Sequence, residues 1–185
     1  NIAMQVAAMS PQYVKREDIS AEELEQLRRE VEGSALNDPF TLPKPILNAL
    51  LDKAVDGVWD QEDIDILAEK RADKGFNFNY LPNFLSEGAK AKLAELAVAD
   101  RDTIVENKIF GGLLEGRISK QLKEICLMDQ VYVRAEDGKQ TVAKYLESVS
   151  KDLSLANVVR FAVGEGIEKK EEDFAAEVAA QMAGN

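Results

Sequence analysis

A run of carboxylates near the middle of the chain has the residue types that could bind a metal ion. Asp60, Glu62, Asp63 and Asp65 lie close together in the sequence, and carboxylate oxygens are the ligands that Ca²⁺ prefers. Their spacing does not match a calcium-binding loop, because the sixth position is not glycine. We therefore interpret the run as the solvated start of a helix, where the positive end of the helix dipole favours acidic side chains.

Cys126 is the only cysteine and the one candidate for a thiol nucleophile. The chain has no histidine, so no imidazole is available to activate that thiol, and we expect Cys126 to fill a small buried position. A single cysteine excludes an internal disulfide and fits a reducing compartment. Because histidine is also the commonest general base and transition-metal ligand, we predict no enzyme chemistry, no metal and no cofactor.

The stretch Gly164-Glu165-Gly166 could be taken for a phosphate-binding loop, but it lacks the further glycine and the lysine that such loops use. A structural turn fits better, since apolar residues alternate before it and recur every fourth position after it. Val159, Phe161 and Val163 predict one face of a strand, and Phe174, Val178 and Met182 predict the apolar seam of a closing helix.

The composition favours a protein partner. The chain has 185 residues and a net charge of −11, which argues against direct binding to nucleic acid. No apolar run approaches the roughly 20 residues that span a bilayer, so we expect no membrane association. Residues 1–9 already form an apolar helical pattern without a preceding cap, from which we expect this to be the C-terminal part of a longer protein.

Helix signals dominate the rest of the sequence. Ser20 to Glu23 form a capping box, and we expect the helix that follows to end at Gly33. Helices are also predicted from Pro45, from Ser86 and from Thr141, whereas the alternation in Phe76–Tyr80 suggests a strand or an extended loop. Residues 130–134 predict another strand.

Several of these segments resemble bacterial elongation factor Ts. The resemblance is carried by RFAVGEGIEKKEEDFAAEVAAQM at residues 160–182, by IVENK and LEGRI at residues 104–118, and by CLMDQVYV at residues 126–133. Asn1 and Gln5 stand where the family usually has histidines, and Val131 stands where proline is usual. Between the two halves of the returning helix, Phe110-Gly111-Gly112-Leu113 departs from the family pattern, and we expect a kink there.

The resemblance implies an α+β, predominantly helical fold: a helical hairpin with an inserted helical subdomain, a small antiparallel sheet remnant and a closing C-terminal helix. The corresponding division is 1–33 for the end of the core and the outgoing hairpin helix, and 34–100 for the insertion. Residues 101–163 hold the returning helix and the C-terminal subdomain, and residues 164–185 hold the C-terminal module.

The function implied by the resemblance is nucleotide exchange, without covalent chemistry, for elongation factor Tu in the cytoplasm. Glu165, Ile167, Phe174 and Val178 are the expected partner-contacting or anchoring residues, although Phe174 and Val178 could equally pack inside their own domain. The family's exchange motif, Thr-Asp-Phe-Val, does not occur in residues 1–185. An alternative therefore stays open: an interaction module that self-associates through the hairpin and has no exchange activity of its own.

Overall fold

The computed structural model describes residues 1–164, which are predominantly helical. The α-helices are α1 (Ile2–Met9), α2 (Ala21–Asn37), α3 (Lys44–Val55), α4 (Gln61–Ala72), α5 (Glu87–Ala99), α6 (Arg101–Val105), α7 (Lys108–Ile125) and α8 (Val142–Val149). Short 3₁₀ turns lie at Arg16–Asp18, Pro39–Thr41, Phe78–Asn83 and Leu127–Asp129. The prediction of a predominantly helical chain is confirmed.

The predicted sheet remnant is wrong for the part of the chain that the structure describes. Residues 158–163 are assigned to no strand in the described part of the chain, and residues 130–134 contribute only the isolated bridge from Val131 to Thr141. A second isolated bridge joins Tyr13 to Cys126. Alternating apolar residues predict a strand only if another backbone lies alongside to complete the ladder, and residues 1–164 supply none. Residues 76–80 likewise form no strand, and the last three of them belong to the 3₁₀ turn at Phe78–Asn83.

Helix α2 begins as its sequence predicts and ends later. The backbone nitrogen of Glu23 donates to Ser20 Oγ at 3.2 Å, and Ser20 N donates back to Glu23 Oε2 at 2.9 Å. The expectation that Gly33 ends the helix is wrong, because α2 continues to Asn37. Ala35 and Leu36 are buried beyond the glycine, and this packing outweighs the roughly 1 kcal/mol that glycine costs a helix.

Helices α2 and α7 form an antiparallel hairpin. The chain entering α2 meets the end of α7, where Gln12 N and Tyr13 N donate to Ile125 O at 2.9 and 3.1 Å. Beyond the other end of α2, Thr41 O accepts from Arg117 Nη2, in the middle of α7, at 3.2 Å. The returning helix breaks before Asn107, whose side chain caps α7. The prediction of a kink around Gly111 is therefore wrong, because the break lies between α6 and α7, and α7 runs on from Lys108 to Ile125.

The main hydrophobic core joins the tip of this hairpin to the helices between its two arms. Phe110 and Leu114 of α7 are 0% and 1% exposed, and they belong to one apolar cluster with residues of α2, α3, α4 and α5. Trp59 lies in this core and donates from Nε1 to Ala89 O at 3.0 Å. The division at residues 34 and 100 stays a prediction, but the core is continuous across both positions.

A second, smaller cluster lies at the base of the hairpin. It comprises Val6, Leu127, Tyr132, Val142 and Leu146. The rings of Tyr132 and Tyr145 stack with centroids 4.1 Å apart and planes at 16°. Cys126, at the end of α7, is fully buried beside this cluster as expected. The cluster holds α1 and α8 together, and Leu155 and Val158 of the segment after α8 pack against it.

Candidate protein-docking surface

Residues 155–163, which are neither helix nor strand, lie between two clefts at the base of the hairpin. On one side it forms a cleft of about 460 Å³ with Ile2, Val6 and Ala7 of α1. On the other side residues 156–160 form a cleft of about 320 Å³ with the loop of residues 11–14 and with Asp18. The side chains of this segment therefore lie between two clefts, and side chains of a partner protein can fill such clefts.

Large apolar side chains on this segment face solvent. Phe161 is 92% exposed and Val159 is 65% exposed, and Val163 is fully exposed. Met4 and Met9 of α1 are 54% and 46% exposed. Exposed large apolar side chains that lie close together are typical of a protein–protein contact. We call residues 159–163 together with α1 the docking face.

A buried pair of glutamines fixes the position of α1, which forms part of the docking face. Gln5 Nε2 donates to Gln130 Oε1 at 3.2 Å and to Val131 O at 3.1 Å, and Gln5 Oε1 accepts from Val133 N at 2.8 Å. Gln130 Nε2 in turn donates to Glu124 O at 2.7 Å. Both side chains are at most 2% exposed. Gln5, which occupies a position where the resemblance implies histidine, therefore acts here as a neutral structural connector.

The loop along the second cleft is held by charged contacts. Arg16 Nε donates to Asp129 Oδ2 at 2.6 Å, which raises the pKa of the Arg16 guanidinium further above its usual range. The Tyr13 hydroxyl donates to Glu23 Oε1 at 2.9 Å, and this hydrogen bond raises the pKa of the Tyr13 phenol. The pKa of Glu23 is lowered, mainly by the Ser20 backbone donor. These contacts link the loop to α2 and to the end of α7.

The predicted contact residues Glu165, Ile167, Phe174 and Val178 lie outside the described residues, so their assignment stays a prediction. The sequence analysis missed the docking face itself, because it assigned Val159, Phe161 and Val163 to one face of a strand. The alternation was the available signal. It indicated one apolar face but not whether that face is covered.

Asp63 of the acidic run and Cys126 are both buried in the fold. Asp63 is not solvated as expected: it is 4% exposed and accepts from Ser86 N and Ser86 Oγ at 2.8 and 2.7 Å. Burial raises the pKa of the Cys126 thiol, which disfavours the nucleophilic thiolate. Within residues 1–164 no three His, Cys, Asp or Glu side chains are grouped so as to hold a metal ion. Over the same range, no helix is long and apolar enough to cross a membrane.

The apolar stripe of the hairpin faces inward where it meets the main core. Val31 is 5% exposed and Leu114 is 1% exposed, whereas Leu24 and Ile109 are 42% and 52% exposed on α2 and α7. Self-association through the hairpin stays a prediction, and those exposed residues are the apolar side chains that α2 and α7 still offer to a second copy.

Comparison with known protein families gives one consistent result. The family model described as elongation factor TS matches residues 1–165. Elongation factor Ts of Clostridioides difficile strain 630 is 30% identical over 184 residues, covering 98% of this chain and 39% of the relative. The corresponding protein of Clostridium acetobutylicum is 54% identical over 79 residues, covering 40% of this chain and 25% of the relative.

Elongation factor Ts of Acidovorax sp. strain JS42 is 48% identical over 92 residues, which cover 48% of this chain and 30% of the relative. The chain thus spans between about a quarter and two fifths of the length of these relatives. No solved structure matches the chain.

Proposed function

The chain belongs to the elongation factor Ts family, and on that basis we propose that it is the docking part of a guanine-nucleotide exchange factor for elongation factor Tu. The match of the family model over residues 1–165 carries this proposal. The action is placed in the cytoplasm, where translation takes place. The C-terminal residues Glu165, Ile167, Phe174 and Val178 are proposed to add contacts beyond the docking face.

Exchange of this kind requires no covalent step. A factor that binds the nucleotide-free form of its partner more tightly than the GDP-bound form must weaken GDP binding by the same factor, because the two equilibria are linked. The chain therefore needs a surface that distinguishes two conformations of the partner, and it needs no nucleophile, base or metal.

The docking face supplies the contact in this proposal. Phe161 is 92% exposed, and burying a large aromatic side chain at the centre of an interface is worth several kcal/mol. The glutamine pair of Gln5 and Gln130 and the Arg16–Asp129 ion pair hold the surrounding surface in place, so little conformational entropy is lost on binding.

The test measures binding and exchange separately. The affinity of the chain is determined for nucleotide-free and for GDP-bound elongation factor Tu, and the release of a fluorescent GDP is followed with and without saturating chain. We expect tighter binding to the nucleotide-free form. Because Thr-Asp-Phe-Val is not in residues 1–185, we expect docking without a large acceleration of release.

Two truncations of exposed apolar side chains locate the contact. Phe161→Ala removes no buried contact, so it should fold normally and weaken binding to elongation factor Tu by at least about tenfold. Val98→Ala is the control, since Val98 is 50% exposed on α5, which is not part of the docking face. Equal affinity for both forms of the partner would refute the exchange role, and equal effects of the two variants would refute this docking face.

A further inference from the structure

A groove on the inserted helices carries polar groups that neither the hairpin nor the docking face uses. It lies between α3, the end of α4 and the loop before the 3₁₀ turn at Phe78–Asn83, and its volume is about 480 Å³. Leu47 is 6% exposed and contributes apolar surface, together with the half-buried rings of Phe76 and Phe78. Apolar lining of this size with a few polar groups is typical of a binding site. We call it the α3–α4 groove.

The charged groups of the groove are mainly basic, in contrast to the chain as a whole. Lys44 and Arg71 both line it and are exposed, and Asp52 is the acidic residue among the lining side chains. The whole chain has a net charge of −11. The two lining cations and one carboxylate leave the groove with a net charge of +1 beside apolar surface, which favours a ligand that combines carboxylates with an apolar side chain. The exposed amides of Asn48 and Asn77 can pair with a peptide backbone.

The aromatic rings are arranged poorly for stacking on nucleobases. Phe76 packs edge-on against Phe78 and against Phe84, in each case with centroids 5.7 Å apart and planes at 71°. The ammonium of Lys70 lies 4.4 Å from the centre of the Phe84 ring and 5.5 Å from that of Phe76. Because Phe76 already contacts Phe78, Phe84 and Lys70, its ring offers little open face to a base, so the groove favours an apolar peptide side chain over an oligonucleotide.

We propose that the α3–α4 groove binds a short acidic peptide segment of a partner protein, with an apolar side chain of the peptide against Leu47, Phe76 and Phe78 and its carboxylates beside Lys44 and Arg71. This site is separate from the docking face and does not depend on the exchange role.

The ion pair between Arg71 and Asp52 gives the proposal a distinctive consequence. Arg71 Nη1 lies 2.8 Å from Asp52 Oδ1, and both side chains are solvent-accessible. An incoming carboxylate competes with Asp52 for the guanidinium. Removing Asp52 should therefore tighten peptide binding, an effect opposite to that expected from damage to the fold.

The experiment uses the full chain and a fluorescein-labelled hexapeptide of alternating glutamate and phenylalanine. Binding is followed by fluorescence anisotropy, and the contact is located by ¹H–¹⁵N NMR shifts, which we expect at Leu47, Asn48 and Asn77. A hexapeptide of alternating lysine and phenylalanine is the charge control, and a six-nucleotide single strand is the nucleic-acid control. Both should bind at least about tenfold more weakly.

Three variants complete the design. Lys44→Glu with Arg71→Glu should raise the peptide Kd at least about tenfold, and Asp52→Ala should lower it roughly threefold. Lys108→Glu with Lys120→Glu makes the same change in charge on exposed α7 positions outside the groove and should leave the Kd nearly unchanged. Emission of the buried Trp59 shows that each variant retains the main core.

Four results would overturn the proposal: equal binding of the two hexapeptides, preferential binding of the oligonucleotide, NMR shifts outside the groove, or an Asp52→Ala variant that does not bind more tightly. If the oligonucleotide bound more tightly than the acidic hexapeptide, the groove would instead be assigned to single-stranded nucleic acid. Weaker binding by the groove variant alone, with the control variant unaffected, supports the peptide site.

Discussion

Gln5 and Gln130 are joined by a buried hydrogen bond of 3.2 Å across 125 positions of sequence. The contact connects α1 to the segment that follows α7, and its neighbours Val131 and Val133 complete the polar partners of Gln5. Because a buried amide without partners is costly, the network specifies one position for α1 on the small core. The docking face lies on that helix and on the segment beside it, so its shape depends on this network.

Replacing Gln5 by leucine should destabilise the base of the hairpin. The change keeps the side-chain volume similar but leaves Val133 N and Val131 O without their partner, at an expected cost of about 2–4 kcal/mol. The measurement is urea unfolding followed by near-ultraviolet circular dichroism, which reports the stacked Tyr132 and Tyr145. Gln26→Leu on the exposed face of α2 is the control and should change stability by less than about 0.5 kcal/mol. A Gln5→Leu variant as stable as its control would show that the network does not hold α1.

The contact between Asp63 and Ser86 should hold α4 to α5. Asp63 accepts two hydrogen bonds from Ser86, whose hydroxyl also caps α5 by accepting from Ala89 N at 3.0 Å. Asp63→Ala removes both acceptors and loosens the cap, with an expected loss of about 2–3 kcal/mol. Urea unfolding followed by Trp59 fluorescence measures it. Asp65→Ala, at an exposed position two residues further along α4, should have an effect within about 0.5 kcal/mol, and equal losses would contradict the assignment.

Local signals in the sequence predicted the helices well, because capping side chains and apolar periodicity act within a few residues. Ser20, Ser86 and Thr141 each begin a helix as expected. The errors have non-local causes. Neither the burial of Asp63 nor the exposure of Phe161 can be derived from neighbouring residues, since each depends on which distant segment packs there. The docking face was missed for this reason.

Ionisation of Glu23 should make the stability of the hairpin depend on pH. Its pKa is lowered in the folded chain, first by the backbone of Ser20, then by the Ser20 hydroxyl and by Tyr13. A carboxyl with a lowered folded pKa stabilises the protein above its unfolded pKa, roughly 4.3, and this stabilisation is lost as the pH falls through the folded pKa. Unfolding midpoints of the wild type and Glu23→Gln should therefore differ at pH 7 and converge toward pH 3.

The control for this pH effect is Glu22→Gln, which removes the same charge from the neighbouring exposed position on α2. Its difference from the wild type should change much less between pH 7 and pH 3, because the capping-box acceptor is intact. A difference for Glu23→Gln that stays constant over this range would contradict a role for its ionisation.

Two glycine-to-alanine substitutions should change stability in opposite directions. Gly33 lies inside α2, and a methyl group there would meet no atom within 4 Å. Alanine should therefore stabilise the chain by about 0.5–1 kcal/mol, since it loses less backbone entropy in a helix. Gly57 has equally open surroundings but a φ of 95°, which alanine adopts only with strain, so Gly57→Ala should destabilise by about 1–2 kcal/mol. Trp59 fluorescence in urea measures both, and a destabilised Gly33→Ala variant would show that α2 does not continue through this position in solution.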